Sequence, residues 1–351
     1  MRKMRISFIG AAGIPNRYGG FESFLEHCAP DLATRVEAVT VTCERRLYQE
    51  EATTYRGVHR RFISVPANGG ASMFHDLVAF LAVFSRSTHI VALGVSGGFW
   101  FPAFRLMCAL SGKKLLVNID GVEWRRLKFS RVKRLVLRVL DAAAQLSAHH
   151  IIYDNSALRE FVMRGCLSKA IEIPYAGDHV ARTDGTRESG SALTICRIEP
   201  ENNVDMLIDG AMRSRLRRYT IVGNWANSAY GRSLRETWGA EPRLQLLDPI
   251  YDQRRLAQLR ETCEYYLHGH SVGGTNPSLV EMLFYDCDIL SFDCPFNRST
   301  AGEAVRYFAN AHALAALIDG GPAGPHASLS RLRDRYTRAN IAKAYLRALE
   351  R

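Results

Sequence analysis

The chain has no C-x-x-C pair, no run approaching 18 uninterrupted apolar residues, no tandem repeat and no low-complexity tract. Each absence removes a class. Without C-x-x-C, the eight cysteines (28, 43, 108, 166, 196, 263, 287 and 294) make neither a zinc ribbon nor a disulfide frame. Several sit in apolar runs, as in Leu193-Thr-Ile-Cys196, and read as reduced, buried thiols of a cytosolic protein. Without a long apolar run, no membrane-spanning helix is expected. The opening Met-Arg-Lys-Met-Arg-Ile-Ser-Phe-Ile-Gly has the basic start of a signal peptide. Its apolar run is short and passes into Gly10 and Pro15, so a first β-strand is expected instead. G-x-G-x-x-G is also missing: Gly10-Ala-Ala-Gly13 lies too far from the next helix for a dinucleotide turn, although Glu44 could be cast as a ribose acid.

At 351 residues, with 47% hydrophobic and 23% charged residues, the chain has the make-up of a folded protein of two domains. Its formal charge of +11 is unevenly spread. Residues 1–180 hold 24 Lys/Arg against 15 Asp/Glu, the remainder 22 against 20, and residues 101–140 alone hold ten against two. One half is therefore expected to meet something anionic: phosphates, nucleic acid or an acidic membrane surface. Nucleic acid is the weakest of these, because no reading motif accompanies the charge.

Strand-like and helix-like segments alternate. Ile6–Ile9, Val36–Thr42, Arg61–Val65, His89–Leu93, Leu115–Ile119 and Ile151–Tyr153 read as strands of the first half. Ala192–Cys196, Tyr219–Val222, Leu244–Leu247, Tyr265–Leu267 and Ile289–Phe292 read as strands of the second. Alternation of this kind predicts mostly parallel sheets covered by helices, with ligands at the carboxyl ends of the strands. The polar stretch 180–191 reads as a linker, and Leu329 to about Leu349 has the spacing of one amphipathic helix. The expected domains are 1–180 and 181–328, followed by a terminal helix over 329–351.

The most informative stretch is His268-Gly-His-Ser-Val-Gly-Gly-Thr-Asn-Pro-Ser-Leu-Val-Glu281. A strand, a glycine turn and a helix start offer unpaired N–H groups to an anion. Pro277 suits the first helical position and Asn276 its cap. Elsewhere, Gly19-Gly20-Phe-Glu22 reads either as a plain turn or as a close approach to phosphate or sugar. Asn118-Ile-Asp120-Gly121 and Tyr153-Asp154-Asn155 put acids at strand ends, as caps or as site residues. Asp286-Cys-Asp288 has D-x-D form but reads as loop acids. His268-Gly-His270 reads as a hydrogen-bonding pair, not a metal site. The basic, apolar segment from Trp124 to Leu140 reads equally as a membrane-surface helix or as a solvated basic face over a buried apolar one.

Over nearly its whole length the chain resembles the two-domain GT-B glycosyltransferases of family 4, and among them the bacterial β-1,4-rhamnosyltransferase-like group. Tyr18-Gly-Gly-Phe-Glu22, Asn118-Ile-Asp-Gly121, Asp154-Asn155, Ile173-Pro-Tyr175, Arg197-Ile-Glu-Pro-Glu-Asn-Asn203, Val222-Gly-Asn-Trp225, Leu247-Asp-Pro-Ile-Tyr251 and His268–Ser278 carry the likeness. It implies an α/β fold of two Rossmann-like domains with mostly parallel sheets facing across a cleft, and a C-terminal helix packing back. It also implies a retaining hexosyltransferase without bound metal or cofactor, taking a dTDP- or UDP-linked sugar, dTDP-L-rhamnose above all. The acceptor would be a lipid-linked or growing surface glycan at the inner face of the cell membrane, with peripheral contact through the basic first domain.

Under the same resemblance, Asp120, Asp154 and Tyr175 serve catalysis or position the acceptor. Gly19, Gly20, Glu22 and Arg125 face acceptor or cleft. Arg197, Glu199, Asn202, Asn224, His270, Gly273, Gly274, Thr275, Asn276 and Glu281 hold the donor, with Arg197 on the diphosphate and Glu281 on the ribose. Two signatures depart. The E-x7-E motif of family 4 has Gly273 at its first position, which moves the sugar contact to backbone or to Thr275 and Asn276. The Arg-x4-Lys pair has Asn202 in place of Lys. A sugar-nucleotide epimerase on a GT-B scaffold and a non-catalytic glycan- or lipid-binding subunit are the alternative readings.

Overall fold

The computed structural model describes residues 2–49, 52–119, 121–125, 129–324 and 328–351. They divide into two compact units: Met1–Ala176 with Arg338–Arg351, and Gly177–Thr337.

The first unit runs β1 (Arg2–Ile9), α1 (Gly20–Ala33), β2 (Val36–Glu44), β3 (Thr54–Tyr55), β4 (Val58–Ile63), α2 (Ser72–Phe84), β5 (His89–Leu93), α3 (Phe101–Leu110), β6 (Lys114–Asn118), α4 (Arg131–Ser147), β7 (His150–Tyr153) and β8 (Ala170–Glu172). Its sheet is ordered β3-β4-β2-β1-β5-β6-β7-β8 and is parallel except at the β3–β4 edge. Central strands such as Ile90–Leu93 and Leu115–Val117 are apolar and buried throughout, as a sheet covered on both faces requires. The chain's last helix, Arg338–Glu350, returns to this unit. Its Tyr345 stacks on Phe24 of α1 at 5.0 Å and meets Phe8 of β1 edge-on at 6.1 Å. The expected single terminal helix is in fact two, Leu329–Arg335 in the second unit and Arg338–Glu350 in the first, broken at Tyr336-Thr337. Tyr336 is buried and its hydroxyl donates to the Thr300 carbonyl at 2.8 Å, which holds the break.

The second unit runs β9 (Glu188–Ile195), α5 (Val204–Arg213), β10 (Arg218–Val222), α6 (Ala229–Trp238), β11 (Leu244–Leu247), α7 (Gln253–Thr262), β12 (Cys263–His268), α8 (Pro277–Met282), β13 (Asp288–Phe292), α9 (Pro295–Ala301), β14 (Arg306–Phe308) and α10 (Ala311–Asp319). The sheet is wholly parallel, ordered β11-β10-β9-β12-β13-β14. Succession goes one way from β9 to β11 and the other way from β12 to β14. The topological switch point therefore lies between β9 and β12, and that is where a ligand crevice opens in such sheets. The polar stretch before β9 is not loose. Glu261 of α7 accepts from the Thr183 amide at 2.9 and 2.8 Å, and β9 itself begins at Glu188.

Candidate active site

Two loops meet at the switch point of the second unit: residues 196–203 after β9 and residues 269–276 after β12. Their joints are specific. The Ser271 amide and hydroxyl both donate to the Glu201 carbonyl, at 2.9 and 2.8 Å, and Asn203 Nδ2 donates to the Gly269 carbonyl at 2.8 Å. Gly269 permits this closeness, since a Cβ there would lie 2.2 Å from the Asn202 carbonyl oxygen.

The centre of the joint is a side-chain pair. Asn202 Nδ2 donates to the Arg197 carbonyl at 2.7 Å, which turns Oδ1 toward His270 Nδ1, 2.8 Å away. The proton of His270 therefore sits on Nδ1, and Nε2 points toward the glycine turn. Gly273 has φ +138°, and a Cβ there would stand 3.0 Å from that Nε2. The His270 carbonyl is anchored in turn by Asn297 Nδ2 at 2.8 Å. Arg197 lies exposed at the end of β9 and forms no ion pair among the described residues. Asn224 accepts from the Ile198 amide at 2.8 Å and so fixes the same loop from β10. Glu199 is half-buried within it. Below the turn, burial, with His270 adding to it, pushes the His268 imidazole down to about 3, so this ring stays neutral.

Several expected donor contacts have other work. Asn276 Oδ1 accepts from the Ser278 amide at 3.0 Å and caps α8, and the Thr275 side chain is buried. Gly274, just before them, is half-buried. α8 itself spans only Pro277–Met282, so it adds little dipole to the turn. Glu281 is buried in a charge cluster: Arg260 of α7 pairs with Oε2, and His179 Nε2 lies 3.3 Å from Oε1. Arg260, His179 and Asn297 were not singled out in the sequence. They lie 21, 102 and 27 residues from the groups they hold, and no local pattern marks them.

In the first unit the placements are mixed. Asp120 lies outside the described residues. Glu22 is buried and accepts from the Ala12 amide at 2.6 Å, closing the loop after β1. Gly19 precedes α1 in extended backbone and Gly20 is exposed. Asp154 is buried near Tyr345, whose hydroxyl bonds the Asn118 side chain. Tyr175 is in the core, its ring 6.0 Å from Phe24. Arg125 is exposed, with its guanidinium 5.1 Å from the Phe161 ring centroid. The Asp286-Cys-Asp288 acids are taken up by Arg333 and Arg306. Among the described residues no three His, Cys, Asp or Glu side chains gather as a metal-holding group, and no helix is long and apolar enough to cross a membrane.

Residues 3–177 match a family described as a domain of unknown function, DUF1972. No curated protein matches the sequence. Among solved structures, the chain is similar to a sucrose-phosphate synthase from Thermosynechococcus elongatus, with TM-score 0.79 and 14% identity over 99% of this chain and 98% of that one. It is similar also to Anabaena HepE, solved with UDP and glucose, with TM-score 0.72 and 14% identity over 99% and 100%. The fold is GT-B. A trehalose-phosphate synthase from Burkholderia xenovorans, solved with glucose-6-phosphate, is a further GT-B likeness, with TM-score 0.68 and 11% identity over 99% and 100%.

Proposed function

We propose that the chain is a GT-B glycosyltransferase that moves a hexose from a nucleotide sugar to a glycan acceptor. The observation that supports this most is the switch-point arrangement in the second unit. An exposed Arg197, an imidazole nitrogen and a glycine turn converge where a GT-B donor diphosphate would lie. Arg197 offers its planar fork to two phosphate oxygens. His270, with Nδ1 committed to Asn202, turns Nε2 toward Gly273 in the glycine turn. The growing diphosphate charge is then stabilised as the glycosidic bond breaks, and the leaving phosphate takes the acceptor's proton.

L-rhamnose from dTDP-L-rhamnose is the proposed donor, on the motif likeness to the rhamnosyltransferase-like group. Transfer is proposed to be retaining, to need no cofactor, and to act on a lipid-linked or growing surface glycan at the inner face of the cell membrane. Asp120 is proposed to orient the acceptor hydroxyl, and Glu281 to hold the ribose from within its ion pair with Arg260. The test is a donor screen with the purified chain, scoring nucleotide diphosphate release with synthetic lipid-diphosphate sugars present. Acceptor-dependent release, lost in a folded Asp120→Asn variant, supports transfer. Wild-type rates in that variant would remove Asp120 from the mechanism. An isomerised donor without nucleotide release would make the chain an epimerase.

A further inference from the structure

α4 is built inside out. Its buried positions are Asp141, Ala144, Gln145 and Ser147, whereas Val132, Leu135, Val136, Val139 and Leu146 are 51–73% exposed. The exposed set recurs at i, i+3, i+4, i+7 and i+14, so it forms one continuous stripe about a quarter of the circumference wide. The polar inner face locks this orientation. Asp141 accepts from Trp124 Nε1 and Gln145 Nε2, both at 3.1 Å, while Gln145 Oε1 accepts from the Met163 amide at 2.8 Å. Rolling the helix to bury its leucines and valines would strand all three bonds. α3, packed beside α4, adds exposed Leu106 and Leu110.

The edges of the stripe are cationic. On the helical wheel Arg131 and Arg138 flank one side and Lys133 the other, with no acid on the exposed face. Arg131, Arg134 and Arg138 also line, with Trp124 and Leu135, an open hollow of about 350 Å³ beside the stripe. Arg134 is held there by the Trp124 carbonyl at 2.9 Å, and Arg138 lies 5.4 Å from the Trp124 ring centroid. Apolar side chains bordered by fixed arginines match the boundary between acyl chains and anionic headgroups. A second copy fits less well, because self-pairing would set two cationic rims against each other.

We infer that the exposed face of α4 is a docking surface for an anionic lipid bilayer, its apolar stripe entering the acyl boundary and the arginine-lined hollow taking a headgroup phosphate. This assigns the membrane contact proposed above to one helix face, and rests on that reading only for the identity of the membrane. Vesicle binding needs no sugar donor, so the inference can fail or stand independently of transfer.

The test is co-sedimentation of the full chain with phosphatidylcholine vesicles, with and without phosphatidylglycerol. Wild type is expected to pellet only with the anionic vesicles, and less so as salt rises. Leu135→Glu/Val139→Glu should abolish binding. Arg131→Glu/Lys133→Glu/Arg138→Glu should weaken it by roughly 100-fold or more, at about one protein–lipid charge contact per residue. Tyr251→Glu, an exposed aromatic of the second unit, should bind as wild type. Circular dichroism checks that each variant is folded. Unchanged binding of the α4 variants would overturn the assignment to this face while leaving a membrane contact standing. Absence of wild-type binding to anionic vesicles would overturn both. A wild-type dimer made monomeric by Leu135→Glu/Val139→Glu, without vesicle binding, would show that a second copy covers the stripe.

Discussion

Oδ1 of Asn202 lies 2.8 Å from Nδ1 of His270, and the other end of the same amide is tied to the Arg197 carbonyl. One residue therefore ties the Arg197 backbone to the His270 ring at the candidate donor site. Asn202→Ala should lower kcat/KM for the donor by about tenfold, the effect of releasing one orienting hydrogen bond. Steady-state rates for wild type, Asn202→Ala and His270→Ala decide it. An Asn202→Ala rate equal to wild type would separate this joint from donor binding.

Arg197 should contribute more than its neighbour. Arg197→Ala is expected to cost roughly 10²–10³-fold in kcat/KM, in the range for loss of one transition-state charge partner. Arg197→Lys should recover only part of this, since a point charge cannot bond two phosphate oxygens in one plane. Because Arg197 is exposed and unpaired in its unit among the described residues, thermal stability should hardly change, and a large fall in Tm would contradict its assignment to the donor.

Gly273 is needed for its shape. Gly273→Ala asks an L-residue to adopt φ +138° and brings a Cβ to 3.0 Å from His270 Nε2. The expected costs are about 1–3 kcal/mol of stability and a raised donor KM. Chemical denaturation and donor titration measure the two separately. Gly273→Glu, with a longer side chain at the same backbone angle, should be worse on both counts.

Glu281 must be read through Arg260. Both are buried, so Glu281→Ala leaves an uncompensated guanidinium and should destabilise the second unit by about 3–5 kcal/mol. The Arg260→Ala/Glu281→Ala double variant should be more stable than that single one. Its donor affinity then reports the ribose contact free of the folding defect.

His268 predicts an acid-side weakness. Its pKa is about 3 when folded against an ordinary 6.5, so between those values the unfolded chain binds the extra proton. Stability from this group is full above about pH 6.5 and falls as the pH drops, by roughly 1.4 kcal/mol per unit. Urea melts from pH 7 to 5 should show that slope in wild type and its loss in His268→Asn. Parallel slopes would mean that His268 does not govern this window.

Much of this was legible in the residues. The parallel sheets follow from β-branched strands alternating with helices, and the turn after β12 from its glycines between a strand and a helix start. What the residues left open has physical reasons. The periodicity of α4 defined a stripe but not the side it faces, because only the buried Asp141 and Gln145 bonds decide that. Asn202 looked like a lost charge, and its partner lies 68 residues away. The motif gives Glu281 a ribose contact, but its partners Arg260 and His179 lie 21 and 102 residues away, outside any local pattern. The last helix read as one because its apolar spacing runs through the break, which a tertiary bond at Tyr336 makes.

The most direct measurement is nucleotide diphosphate release from dTDP-L-rhamnose by the purified chain, with and without a synthetic lipid-diphosphate sugar, for wild type and Arg197→Ala. The account predicts acceptor-dependent release by wild type, reduced roughly 10²-fold or more by Arg197→Ala. If folded wild type consumes neither this donor nor any other nucleotide sugar, the switch-point site of the second unit is not a donor site and the proposed transferase activity is wrong.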